Sequence, residues 1–240
     1  MPTHKWQGRW NGRSPAGDIH LRARNVISPS GGIVRGKFPS RKNGRMVHHE
    51  GLLELDAIYL FETSPEIVRY REQPASVHYA DGPKLRRYTP DFELLLATGE
   101  SVTIEVKPTR FLEKKEIRHK FDCIEAYMRG VGTSFVILTD KIIRLEPRLS
   151  NLRRVYHEAA RVPPTPSATQ IAMSRYADHF PTSIKAAHEF LLERHVEPFS
   201  LLMAGLLRCA LETPITFDTS INISTEADNG WFWIAKEHGF

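Results

Sequence analysis

The chain contains 240 residues, 41% of them hydrophobic and 25% charged, and it carries a formal net charge of +5. This length accommodates one large or two small domains with a buried core. Because no run of about 18 apolar residues is present, the sequence excludes a membrane-spanning helix. The N-terminal residues also lack the apolar core of a secretory signal peptide, so we expect a cytoplasmic protein with no membrane partner.

Positive charge is concentrated at the N-terminus. Residues 1–45 contain ten Lys and Arg side chains and one acidic residue, a net charge of +9, whereas the remainder carries −4. We interpret residues 1–45 as a basic arm and lead-in. Such an arm suits a polyanionic partner such as DNA. A solubilising leader would have the same composition, and charge alone does not separate the two.

Hydrophobic periodicity predicts both helices and strands over residues 46–160, and we expect an α/β domain. The predicted elements are a broadly buried helix at 46–62, short strands at 66–74 and 75–81, a β-hairpin at 91–108 with its turn near Gly99, an amphipathic helix at 111–130, a buried strand at 133–140 and a helix at 150–160.

The C-terminal third has a different character. Residues 161–170 contain three prolines and read as an interdomain linker. Residues 171–240 then contain helical patterns at 183–195 and 200–212, followed by strand-like residues 214–225. Short helices followed by a β-hairpin outline a winged helix, so we expect a small winged-helix-like α+β domain here.

The two cysteines, Cys123 and Cys209, each fall within an apolar helical pattern. We therefore expect reduced core thiols rather than a disulfide or a metal-binding pair.

The predicted 91–108 hairpin carries charged residues at the ends of its strands. A charge there is unfavourable unless it is solvated, paired with an opposite charge or part of a functional site. Alternation along its second strand sends Glu105 and Lys107 to the same face. Asp91 begins the first strand, after a proline that is tolerated at a strand start. Antiparallel pairing around Gly99 therefore brings Asp91 beside Glu105 and Lys107. Glu54 in the preceding helix, with Glu50 one turn before it on the same face, is the candidate third carboxylate.

Two or three carboxylates and an ammonium group at one point suit Mg²⁺-assisted hydrolysis of a phosphodiester. Mg²⁺ prefers carboxylate and water oxygens, polarises a phosphoryl oxygen and lowers the pKa of a bound water. The lysine would add fixed positive charge where the transition state becomes negative. The competing interpretation is a surface Glu–Lys pair on a solvated hairpin, since an E-x-K triplet is common.

The wider sequence resembles a known family. "PDFELLLATGESVTIEVK" has the P-D…E-x-K layout of the restriction-endonuclease-like nuclease superfamily, and "FPSRKNGRMVHHEGLLELDAIYLFE", "REQP" and "RRYTPDF…IEVKP" closely resemble TnsA. TnsA is the endonuclease subunit of heteromeric, Tn7-like Tns transposases. The likeness runs from about residue 36 to 110, and more loosely to 160. It implies a mixed sheet flanked by helices over residues 46–160.

The resemblance also implies roles and partners. Its catalytic residues correspond to Glu54, Asp91, Glu105 and Lys107. The metal ligands would be the three carboxylates and the backbone carbonyl of Val106, holding Mg²⁺, with two ions expected and Mn²⁺ able to substitute. The partners would be double-stranded DNA at transposon ends, the DDE-type transposase TnsB and the AAA+ regulator TnsC. The activity would be nicking of the transposon 5′ ends, at the bacterial nucleoid.

Basic residues near the motif are candidate phosphate contacts. Arg41, Lys42 and Arg45 end the arm, and Arg86 and Arg87 precede the catalytic strand, although a solvated strand start explains the last two equally well. Two other functions remain open at this point. One is a stand-alone restriction or repair nuclease of the same superfamily, and the other is a non-catalytic DNA-binding adaptor.

Overall fold

The computed structural model describes residues 20, 22–23, 34–225 and 231–240, so most of the predicted basic arm lies outside the described residues. The chain divides into two compact units. Unit 1 comprises the described residues up to Ile58, Glu66–Ile143 and Glu237–Gly239, and unit 2 comprises Tyr59–Pro65, Arg144–Lys236 and Phe240. Within the described ranges, no helix has the length and apolar character needed to cross a membrane.

Unit 1 is built from both strands and helices, as the hydrophobic pattern predicts, with five strands in succession between its first two helices. A long first helix, α1, lies partly in this unit. The elements are β1 (Gly36–Ser40), β2 (Arg45–His49), α1 (Leu52–Thr63), β3 (Ile67–Glu72), β4 (Val77–Asp81), β5 (Lys84–Tyr88), β6 (Phe92–Leu96), β7 (Ser101–Val106), α2 (Thr109–Leu112), α3 (Lys115–Gly130), β8 (Ser134–Leu138) and α4 (Asp140–Ile143).

A four-stranded sheet with the order β3-β6-β7-β8 forms the centre of unit 1. The predicted hairpin is present as antiparallel β6 and β7, and its turn contains Gly99 with a φ of 87°. On its other side β7 pairs in parallel with β8. The result is the mixed sheet, flanked by helices, that a restriction-endonuclease-like fold requires.

The helix predicted at 46–62 is wrong at its start. Residues 45–49 form β2, which pairs with β1 in an antiparallel hairpin, and the helix begins only at Leu52. The turn of this hairpin contains Asn43–Gly44, and Gly44 has a φ of 60°. Asn-Gly is a strong hairpin signal, and Gly51 separates strand from helix, so both boundaries are readable in the sequence. His48 and His49 are consequently buried strand residues rather than solvated residues at a helix end.

The amphipathic helix α3 packs against β4 and β8. Its apolar stripe buries Phe121, Ile124 and Met128, while Ile117, which the same period also predicts to be buried, is only partly so. These residues form a core cluster with Tyr79 of β4 and Tyr88 of β5. The cluster holds the β4–β5 hairpin against α3.

A buried ion-pair network surrounds Glu72 at the end of β3. The Glu72 side chain is 1% exposed, and its two oxygens face the Arg45 guanidinium at 2.8 and 3.0 Å. The Arg22 guanidinium and the His48 backbone N–H also donate to Oε1, at 3.0 and 3.3 Å. Burial alone would raise the pKa of Glu72, but the facing Arg45 holds it below the usual value. His20 bonds the Glu72 carbonyl oxygen.

Acid should destabilise unit 1 through this network. Burial, reinforced by the positive charge of Arg22, lowers the pKa of His48 to about 4. Between pH 6.5 and about 4 the unfolded chain therefore binds a proton that the folded chain does not, so unfolding becomes easier as the pH falls. We expect His48→Gln to flatten the pH dependence of the unfolding free energy across this window, measured by urea denaturation. An unchanged slope would contradict the assignment.

Unit 2 contains helices and a small antiparallel sheet with the order β10-β11-β9. Short 3₁₀ turns follow two of the helices, at Ala177–His179 and Leu192–Arg194. The elements are α5 (Arg148–Glu158), α6 (Pro166–Tyr176), β9 (Thr182–Ser183), α7 (Ile184–Leu191), α8 (Pro198–Met203), β10 (Leu207–Arg208) and β11 (Ser220–Ile223).

Two expectations for this region are wrong. Helix α6 begins at Pro166, inside the predicted 161–170 linker, because Thr165 caps it by accepting the Ala168 N–H at 3.2 Å. A proline is also favourable in the first helical turn. The helix predicted at 200–212 ends at Met203 because Gly205 adopts a φ of 71°. The residues that follow enter β10 instead.

Asn151 joins α5 to the chain beyond α8. Its buried side-chain amide donates to the carbonyl oxygens of Leu211 and Thr213 at 3.1 and 2.8 Å, and it accepts the Ile215 N–H at 2.8 Å. One side chain therefore satisfies three backbone groups, and α5 belongs to unit 2. The predicted domain boundary at residue 160 lies after this helix, whereas the division between the units falls before it.

Candidate active site

The P-D and E-x-K residues converge at one end of the β6–β7 hairpin. Phe92 pairs with Ile104, so Asp91 comes level with Glu105 on the neighbouring strand. The Val106 N–H donates to Asp91 Oδ2 at 2.8 Å, and Lys107 Nζ donates to Glu105 Oε1 at 3.3 Å. The juxtaposition expected from strand alternation is therefore present.

Glu105 is not a solvated surface residue. It is 3% exposed although it carries a carboxylate, and a buried carboxylate is unfavourable unless it is paired or hydrogen-bonded. Lys107 and the Tyr88 hydroxyl, which donates to Oε2 at 2.6 Å, provide those partners. This burial argues against the alternative of a surface Glu–Lys pair.

The negative charges of two other carboxylates influence the pKa of Asp91. Loss of hydration raises the pKa of Asp91 well above its usual value, and the charges of Glu105 and Glu54 raise it further. The Val106 N–H and Lys107 act in the opposite direction without cancelling the effect. Glu54, in the first turn of α1, is therefore near enough to act on Asp91 electrostatically. Like charges that act on one another in this way favour either a bound proton or a bound cation.

The sequence predicts that Glu50 and Glu54 share a helical face, and this prediction is wrong. Glu50 precedes α1, and its backbone N–H donates to Glu54 Oε2 at 2.7 Å. Its contribution is therefore to orient the Glu54 carboxylate. The displaced helix start explains the difference.

Two residues that support the site were not identified as functional from the sequence. Tyr88, which ends β5, holds Glu105, and no local pattern reveals this because the partner lies 17 residues away. Gln73 has a φ of 48° and donates its backbone N–H to the Asp91 carbonyl oxygen at 2.8 Å. This bond places Gln73, the third residue of "REQP", in a structural role, because it fixes the backbone at Asp91.

The basic residues of the arm's end lie in different environments. Arg45 is buried against Glu72 and does not present its guanidinium to solvent, so it is a poor candidate for a phosphate contact. Lys42 donates to the Ile67 carbonyl oxygen. Arg41 and Lys42 are both half-buried. The sequence could not separate these residues because all three fall in one basic run.

Arg86 and Arg87 lie on β5 and are exposed. Arg86 pairs with Asp81 across the β4–β5 hairpin while half of its side chain remains accessible. Both residues immediately precede Tyr88, so a phosphate bound by them would lie on the strand that supports Glu105. They keep their place as candidate DNA contacts.

We expect Tyr88→Phe, which removes the hydrogen bond that orients Glu105, to weaken by about 10-fold or more any metal-dependent cleavage that this site performs. The expected signature is a higher Mg²⁺ concentration for half-maximal cleavage, with partial recovery at saturating Mg²⁺. Tyr79→Phe is the matched control, since Tyr79 belongs to the same core cluster. Equal effects of the two substitutions would reduce Tyr88 to a packing residue.

The donor set fits a hard divalent cation. Carboxylate and carbonyl oxygens are the ligands that Mg²⁺ prefers, and Asp91 and Glu105 present two carboxylates on neighbouring strands. Burial, and after it the charges of Glu105 and Glu54, raises the pKa of Asp91. A bound cation would favour its ionised form.

The segment that contains the β6–β7 hairpin also matches a known family. Residues 64–140 match the family model described as "TnsA-like endonuclease N terminal". The match spans β3 to β8 and includes Asp91, Glu105 and Lys107, while Glu54 lies before it. No curated protein matches the chain. The resemblance recognised in the sequence is thereby confirmed, and the match supports a TnsA-like endonuclease.

Proposed function

We propose that this chain is the DNA endonuclease subunit of a Tn7-type transposase and nicks the 5′ ends of a transposon during cut-and-paste transposition. The observation that carries the proposal is the buried Glu105, held by Tyr88 and Lys107 beside Asp91. The family match over residues 64–140 supports the same conclusion.

We propose Mg²⁺ as the cofactor, with two ions and with Mn²⁺ able to substitute. Glu54, Asp91, Glu105 and the Val106 carbonyl oxygen would hold it. When bound, the metal supplies Lewis-acid polarisation of the scissile phosphoryl group and a water of lowered pKa.

Lys107 contributes the fixed positive charge of the site. Its ammonium group lies 3.3 Å from Glu105 Oε1 and is 30% exposed, so it can turn a hydrogen bond toward a substrate oxygen. A donor placed where negative charge accumulates stabilises the transition state more than the ground state. The Val106 N–H fixes one Asp91 oxygen, which leaves Oδ1 to face the substrate side. Arg86 and Arg87 would bind flanking phosphates.

The proposed partners are double-stranded transposon ends, the DDE-type transposase TnsB, which would process the 3′ ends, and the AAA+ regulator TnsC. Unit 2 would carry partner contacts. From α6 onward, its order of helix, strand, two helices and two strands, with β11 between β10 and β9, supports a winged-helix-like domain. The complex would act at the bacterial nucleoid.

The test is strand-specific cleavage of end-labelled DNA carrying a transposon end, with and without the partner transposase subunit and with Mg²⁺ or chelator. We expect 5′-strand nicking that requires both Mg²⁺ and the partner. Cleavage by the chain alone would favour a stand-alone nuclease. Stable DNA binding without cleavage in the complete assembly would favour a non-catalytic adaptor.

A further inference from the structure

A second cluster of metal-ligand side chains lies on unit 1, away from the four proposed catalytic residues in sequence. His119 and Cys123 are four residues apart on α3 and so share one helix face. Asp81 ends β4, at the turn of the β4–β5 hairpin. Cys123 Sγ lies 3.7 Å from His119 Nε2, and Asp81 Oδ1 lies 2.9 Å from the same nitrogen. One ligand atom from each residue falls within 4.8 Å of the others.

Two of the three separations are close to those of a tetrahedral zinc site. With Zn–S near 2.3 Å and Zn–N and Zn–O near 2.1 Å, neighbouring ligand atoms lie about 3.4–3.6 Å apart. The sulfur–nitrogen distance already agrees. The oxygen–nitrogen distance must open by roughly half an ångström, which an exposed imidazole can provide, since 66% of the His119 side chain is accessible.

The positions of the three ligands are set by packing. The core cluster of Tyr79, Tyr88, Phe121, Ile124 and Met128 holds α3 against the β4–β5 hairpin, and Cys123 packs on its margin. The ligands therefore come from two elements that the fold brings together, rather than from long side chains that happen to meet. Preorganisation of this kind lowers the entropic cost of binding a metal.

Asp81 accepts hydrogen bonds from both Arg86 and His119. The two bonds use different oxygens, because Arg86 Nε donates to Oδ2 whereas His119 faces Oδ1. Oδ1 can therefore turn to a metal while Arg86 stays on Oδ2, an outer-shell partner of the sort that orients metal ligands.

We infer that Asp81, His119 and Cys123 form a binding site for Zn²⁺, with a fourth position open to water. A thiolate and an imidazole favour zinc over magnesium, which prefers oxygen ligands. The sequence predicts that Cys123 is a core thiol. In the structure Cys123 is instead a partly exposed free thiol beside two other ligands. Zinc here would tie α3 to the hairpin that carries Arg86, Arg87 and Tyr88.

The experiment is a titration of the metal-stripped, reduced full-length chain with Co²⁺ and then Zn²⁺. We expect one equivalent of Co²⁺ to give visible absorption of tetrahedral intensity together with a thiolate charge-transfer band, and Zn²⁺ to abolish both. A large excess of Mg²⁺ should leave the spectrum unchanged. The carboxylate cluster at Asp91 has no thiol, so a metal bound there cannot produce the charge-transfer band.

Variants separate this site from adventitious binding. Cys123→Ser should remove the charge-transfer band, and Asp81→Asn should weaken zinc binding at least about 10-fold while leaving the band at saturating Co²⁺. Cys209→Ser is the matched control, because Cys209 is the other thiol of the chain, and burial raises its pKa to about 12. Zinc should raise the melting temperature of wild type and Cys209→Ser but not of Cys123→Ser.

Three results would overturn the inference. They are the absence of a charge-transfer band in wild type, its persistence in Cys123→Ser, and an equal loss in Cys209→Ser. If Cys123→Ser fails to fold, Asp81→Asn decides the matter, since Asp81 lies at a hairpin turn and its replacement leaves the core cluster intact. Unchanged zinc affinity in that variant would also exclude the site.

Discussion

Asp91→Asn should abolish metal-dependent cleavage and, at the same time, stabilise the metal-free protein. The amide keeps an oxygen to accept the Val106 N–H but removes the negative charge that Glu105 and Glu54 oppose. Mg²⁺ should raise the melting temperature of wild type by ligand linkage and should have little effect on the variant. Cleavage should fall at least about 10³-fold.

Lys107→Ala provides the contrast that assigns roles. It removes the transition-state charge but no metal ligand, so cleavage should fall by about 10²–10³-fold while Mg²⁺ still stabilises the protein. Glu93→Gln is the control. It also removes a carboxylate from the hairpin, but Glu93 lies on β6 in a partly exposed ion pair with Arg71. Unimpaired cleavage by Asp91→Asn or Lys107→Ala would exclude this cluster as the active site.

The second large effect concerns stability. Arg45→Ala should lower the unfolding free energy by about 3–5 kcal/mol, because it leaves Glu72 buried without its main partner. Arg22 still reaches Glu72 Oε1 from a more exposed position, so the lower end of this range is expected. Urea denaturation at neutral pH provides the measurement.

The matched control is Arg129→Ala. Arg129 and Glu125 also lie 2.8 Å apart, but their side chains are 76% and 55% exposed. An exposed pair is worth about 1 kcal/mol or less. If the two substitutions cost the same, burial of the Arg45–Glu72 pair has no energetic consequence and the network is incidental.

The site was readable from the sequence because its geometry is local. Asp91, Glu105 and Lys107 belong to one hairpin, in which strand alternation and a glycine turn fix which side chains meet. Glu54 could be named as a candidate from the acidic helix that precedes the hairpin, and the family resemblance then assigned it to the site, since a helical pattern alone does not show which end of a sheet the helix approaches. Tyr88 could not be found, because its contact with Glu105 depends on how the β4–β5 hairpin docks against α3.

The errors have equally local causes. At residues 46–49 the helical period was extended backwards across Gly51, so most of β2 was predicted as helix. At residues 200–212 the same happened at Gly205. In both places an apolar run long enough for a helix is interrupted by one residue whose backbone preference decides the outcome. Arg45 shows a different limit, because composition does not reveal which member of a basic run is buried.

Asn151 has a consequence for how such a chain could be recombined. Because α5 is bonded to residues 211–215 through this one amide, a crossover in the proline-rich segment after residue 160 would separate a helix from the backbone it satisfies. A hybrid gene would have to inherit residues 144–240 as one block, together with the matching Tyr59–Pro65 segment, which begins within α1 and belongs to the same unit. We therefore expect these two segments to be exchanged together rather than shuffled independently.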